Sequence, residues 1–84
     1  MRIIKTDDFV RVFTKLPKEI QRLYLIQEKR FLSNWRDPRL HIKKVRTLQL
    51  SMSFRITRRY RAFFYFQDDE SAIFFEIGHR KSSY

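Results

Sequence analysis

The sequence predicts an α+β domain in which a two-helix hairpin packs on one face of a four-stranded, mainly antiparallel sheet, and three patterns carry that prediction. Apolar residues recur at helical spacing from Phe9 to Trp35. Residues 50–56 alternate strictly between apolar and polar side chains. Two aromatic-rich runs, 60–67 and 71–78, flank the acidic turn Asp68-Asp69-Glu70 as the arms of a β-hairpin.

The elements follow in order. Arg2 to Lys5 is short and β-branched, which suits a strand. Thr6 can cap a helix whose first turn holds Asp7 and Asp8, where the positive end of the helix dipole favours carboxylates. Phe9, Val12, Phe13 and Leu16 form its buried stripe, and Pro17 closes it and opens the next helix. The second helix, from about Lys18 to Asn34, carries Ile20, Leu23, Tyr24, Phe31 and Trp35 on one stripe and charged residues on the other. Asp37-Pro38 marks its exit, because the residue before proline is pushed out of helical conformation. Residues 39–49 are basic and unpatterned, a loop or a short helical turn. In the alternating strand, Leu50, Met52, Phe54 and Ile56 share one face, with Ser51, Ser53 and Arg55 on the other. Thr57-Arg58-Arg59 then turns the chain into the hairpin. Pairing Gln67 with Ala72 sets Tyr65 opposite Phe74, Phe63 opposite Glu76 and Arg61 opposite Gly78. That register predicts a core face of Phe64, Phe66, Ile73, Phe75 and Ile77, and an open face bearing Arg55, Arg61, Phe63, Tyr65 and Glu76.

The 84 residues make one domain, 1–84, and 43% hydrophobic residues with nine phenylalanines are enough to build a core. With no cysteine and two histidines, neither a disulfide framework nor a zinc-thiolate site is expected, and no metal or other cofactor. No apolar run reaches the roughly 20 residues of a membrane span, so the expectation is a cytoplasmic protein without a membrane partner.

The formal net charge of +10 points to a polyanionic partner. Its distribution says more: Arg36, Arg39, Lys43, Lys44, Arg46, Arg55, Arg58, Arg59 and Arg61 face one acid, Asp37, over residues 36–66. On an antiparallel hairpin the start of one strand lies beside the end of the other, so Arg61 neighbours Gly78, next to His79 and Arg80. Guanidiniums take phosphates and aromatic rings stack bases, which suits a nucleic-acid strand. Arg61 can also form a structural ion pair with Glu76 across the hairpin.

The order of these elements, with Ser53-Phe54-Arg55-Ile56-Thr57 leading into Tyr60-Arg61 and the ending Ile77-Gly78-His79-Arg80-Lys81-Ser82-Ser83-Tyr84, resembles the RelE/ParE superfamily of type II toxins over essentially the whole chain. The resemblance implies the RelE-like microbial RNase fold. For the RelE, YoeB and YafQ branch it also implies metal-free, ribosome-dependent cleavage of mRNA by attack of the ribose 2′-hydroxyl. Arg61 matches the strand arginine that stabilises phosphorane charge, and Arg80 the arginine after the last strand. Tyr84 resembles a terminal tyrosine that stacks on a base or moves a proton. The glutamate base of YoeB-like members has no counterpart, since no Asp or Glu occurs from 38 to 67. His79 is the first candidate for acid or base, with His41, Lys43 and Lys44 as others. Together with Arg55, Arg58, Arg59 and Lys81, residues His41, Lys43 and Lys44 are candidate RNA contacts. The implied partners are a cognate antitoxin protein, mRNA with the ribosome and its 16S rRNA, and operator DNA only through the antitoxin. Two alternatives stand beside this reading: a ParE-like gyrase inhibitor, and a degenerate binding relic.

Overall fold

A computed structural model of the chain describes residues 1–46 and 48–79. Strand β1 (Arg2–Lys5) leads into helix α1 (Asp7–Lys15), where the Thr6 hydroxyl accepts from the Phe9 N–H at 3.1 Å as the capping pattern predicts. Helix α2 (Lys18–Ser33) follows across Pro17. A 3-10 turn, Pro38–Leu40, is capped by Asp37, which accepts from the Arg39 N–H at 2.9 Å. Arg39 also holds the Asp37 carboxyl down to about 2, through its side-chain and backbone hydrogen bonds. Strands β2 (Lys43–Lys44), β3 (Ser51–Arg55), β4 (Tyr60–Asp68) and β5 (Ser71–His79) follow among the described residues.

The strands form one sheet in the order β1-β5-β4-β3-β2, with β1 parallel to β5 and the other neighbours antiparallel. The expected architecture is therefore present, with a fifth strand added by the two-residue β2 at the edge. Phe31 of α2 is the hub of the core. Its ring lies 5.0 Å from Phe64, 5.2 Å from Phe74 and 5.8 Å from Phe54, so helix and three strands meet on one fully buried side chain. Tyr24, also buried, donates to Glu28 at 2.7 Å, and Lys5 of β1 pairs with the same carboxylate at 2.8 Å. Burial, then the bond to Glu28, pushes the Tyr24 hydroxyl well above the usual phenol range.

Two sequence expectations are corrected. Arg61 does face Gly78, and Phe63 faces Glu76, but the register then shifts and Phe64 pairs with Phe74. Phe75 is the extra residue of a β-bulge, and a one-residue slip exchanges the faces of everything beyond it. Ala72 and Phe74 therefore fill the core in place of Ile73 and Phe75, while Phe75 lies 5.8 Å from Tyr65. Correspondingly Tyr65 opposes Ile73, and Phe66, not Gln67, opposes Ala72. The second correction is at Leu50, which does not begin the strand. It has φ 64 and is 84% exposed, because it belongs to the turn closed by the Ser51 N–H on the Leu48 carbonyl.

Candidate nucleic-acid interface

The helices cover one face of the sheet, and the basic residues of interest lie on the other. The register decides which. Phe54, Ala62 and Phe64 point to the helices, so Ser53, Arg55, Arg61 and Phe63 point away. Lys43 pairs with Ser53 and so shares that face. The Ile56 N–H donates to the Tyr60 carbonyl at 2.9 Å, which makes the neighbouring Arg55–Arg61 pair a non-hydrogen-bonded one. Side chains in such pairs stand closest, with Cβ atoms about 4.5–5.5 Å apart. Two like charges so rooted raise the positive potential of this face, which favours an anion beside it.

Arg61 is held on that face rather than displayed from it. It is 4% exposed. Its Nε donates to Ser53 Oγ at 2.8 Å, and Nη2 donates to the His41 carbonyl at 2.7 Å and the Ser53 carbonyl at 3.2 Å. His41 can offer its carbonyl because its backbone is left-handed, φ 49 and ψ 54, at the end of the 3-10 turn. The open aromatic face expected from the sequence is corrected in the same way: Phe63 is 3% exposed, while Tyr65 remains 39% exposed.

The imidazoles do not gather as expected. The pleat that sends Arg61 outward sends Tyr60 and His79 to the helix side, where their rings meet edge to face at 5.8 Å. A cleft of about 550 Å³ beside His79 is walled by Asp8, Arg11 and Val12 of α1 and by Leu16 just after it. Thus His79 and Arg61 occupy adjacent register positions on opposite faces. His41 is exposed, on the loop whose carbonyl grips Arg61, and Lys43 and Lys44 are exposed just beyond it. Arg55 is half-buried, and Arg58 and Arg59 are exposed in the turn that follows, where Thr57 Oγ1 accepts from the Arg59 and Tyr60 N–H groups at 3.2 Å. Arg80, Lys81 and Tyr84 lie outside the described residues. Among the described residues no group of three His, Asp or Glu side chains is placed to hold a metal ion, and no helix is long and apolar enough to cross a membrane.

One organising residue carried no functional expectation. Gln27, 6% exposed within the apolar stripe of α2, donates through Nε2 to the Arg39 carbonyl at 3.0 Å and the Arg55 carbonyl at 2.7 Å. Its Oε1 accepts from Arg30 at 2.9 Å. The available signal was its spacing, three residues after Tyr24 and four before Phe31.

No family model matches the chain, and no curated protein matches it in sequence. Solved structures do match it. A YoeB/ParE toxin from Agrobacterium tumefaciens superposes with TM-score 0.79 at 8% identity, covering 95% of this chain and 99% of that one. YafQ from E. coli strain BL21(DE3) gives TM-score 0.78 at 10% identity over 100% and 99%. The RelB-RelE antitoxin-toxin complex from Methanococcus jannaschii gives 0.76 at 22% identity over 96% and 94%.

Proposed function

We propose, from the RelE/ParE fold that this chain has, that it is the toxin of a type II toxin–antitoxin pair and an endoribonuclease that cuts mRNA on the ribosome. The observation that carries the reading is the Arg55–Arg61 pair: two arginines opposed in register on the sheet face away from the helices, Arg61 buried and held by Ser53 and Arg55 half-buried, with exposed Lys43, Arg58 and Arg59 nearby. A phosphodiester satisfies that arrangement. In the reaction the ribose 2′-oxygen attacks phosphorus as its proton passes to a base. The bond to the 5′-oxygen breaks as that oxygen gains a proton, leaving a 2′,3′-cyclic phosphate and a 5′-hydroxyl. Arg61, Arg55 and Arg80 stabilise the charge that builds on the phosphorane. Tyr84 stacks on a base or transfers a proton. Of the two imidazoles, His41 adjoins the Arg61 loop, and His79 serves as acid or base for a strand that passes over the hairpin end. The cognate antitoxin, through an acidic or amphipathic segment, covers the cationic face and carries the pair to operator DNA.

Primer extension on a reporter mRNA after induction tests this, with Arg61→Ala, His41→Ala and His79→Ala beside the wild type and supercoiling followed in the same cultures. New 5′ ends that fall at least about tenfold in Arg61→Ala, and in one histidine variant, are expected, since one well-placed group contributes 10² or more. Burial of Arg61 favours a second reading, a ParE-like gyrase inhibitor in which Arg61 is structural. Intact mRNA with lost supercoiling establishes that alternative, and neither effect leaves a binding relic.

A further inference from the structure

Arg61 and Gln27 grip the same two stretches of backbone from opposite sides. Arg61 bonds His41 and Ser53, while Gln27 bonds Arg39 and Arg55. In each stretch the two anchored residues are two positions apart, so the hydrogen bonds close a ring: Gln27 to 39–41, to Arg61, to 53–55, and back to Gln27. The ring exists because β2 starts only at Lys43. The Lys43–Ser53 and Lys44–Met52 register, continued, puts residue 41 opposite Arg55. The chain instead turns left-handed at His41, and the Arg55 carbonyl, which points away from β4, is left at the sheet edge. Gln27 fills that vacancy from the helix layer. Both its donors and its acceptor are engaged, which fixes the amide orientation.

We propose that Gln27 is a positioning residue for Arg61: by tying the 39–41 turn to the end of β3 it sets where the His41 carbonyl stands, and so the position and tilt of the guanidinium that this carbonyl holds. The catalytic part of this statement rests on the nuclease reading; the positioning part does not. Apolar residues of the same length preserve packing but leave two carbonyls unbonded, and the turn then drifts from β3. Positioning errors of this kind act on the chemical step more than on encounter with substrate.

The test is Gln27→Met beside Arg61→Ala and the double variant, with folding confirmed by circular dichroism. Nitrogen-15 NMR follows solvent exchange of the Arg61 Nε–H, and cleavage of programmed ribosomes gives kcat and KM. Gln27→Met is expected to speed Arg61 Nε–H exchange about tenfold or more and to lower kcat with KM little changed, the two segments being coupled through one network. In the Arg61→Ala background it is expected to add nothing. Unchanged exchange, or losses that add in the double variant, overturns the proposal. Should Gln27→Met not fold, Arg30→Met frees the Gln27 Oε1 alone and is expected to shift the same exchange rate in the same direction by a smaller factor; no shift overturns it equally. If the wild type cleaves nothing, the nuclease reading fails while the exchange measurement still decides the positioning role.

Discussion

At the residue scale the site is explained by how two side chains, Arg61 and Gln27, satisfy backbone carbonyls at the edge of the sheet. Arg61 depends on Ser53 for its Nε bond, so Ser53→Ala leaves a buried donor without that acceptor and should cost about 1–3 kcal/mol in urea unfolding. Arg61→Lys keeps the charge but has no planar fork to span Ser53 and His41 together, and it should cleave nearer to Arg61→Ala than to wild type. Leu50 presents the opposite case. A γ-branched residue at φ 64 with 84% of its surface in water gains nothing from burial, and Leu50→Gly should stabilise the fold by about 0.5–1 kcal/mol. Thermal melts of the pair measure it.

At the element scale the β5 bulge is the feature that reassigns most side chains. It makes a sharp comparison possible: Phe74→Ala, at a fully buried site, should cost about 3–5 kcal/mol, and Phe75→Ala under half of that. Equal losses in chemical denaturation would contradict the observed register. The helices and the three long strands were legible because each is a long periodic run with punctuation at Thr6, Pro17, Asp37-Pro38 and Asp68 to Glu70. The bulge was not, because Ile73, Phe74, Phe75 and Ile77 are all apolar and either face of β5 reads as core. Nor was β2, whose two lysines carry no strand signal. In the candidate site, the Arg61–Gly78 neighbourhood followed from the hairpin alone. The opposite facing of His79 also follows from strand alternation, once Tyr60 is known to pack on the core. The left-handed His41 and the Gln27 bridge depend on where β2 begins, which no periodicity announces.

At the scale of the whole molecule, charge and topology act together. Single-stranded RNA binding should weaken by about 0.7 log units per tenfold salt for each phosphate neutralised. Replacing the exposed Arg58 and Arg59 by alanine should then flatten the slope by about 1.4 if each meets a phosphate, as nitrocellulose filter binding over a salt series would read. The topology has a different consequence. β5, the last strand, lies inside the sheet, and its partner on one flank is β1, the first: Arg2 aligns with Ser71 and Lys5 with Phe74. Phe74 is also central to the core cluster, so neither ladder nor core can close until residues 71–79 have been made. During translation, at about 5–20 residues per second, the emerging segment is an unfinished half-sheet in which Arg61 lacks the Gly78 strand beside it. Ribosome-stalled chains ending before β5 should be digested as readily as unfolded protein in a protease pulse. A sheet whose first strand must wait for β5 is assembled as one cooperative unit, so no shorter part of residues 1–79 presents the cationic face in its finished form.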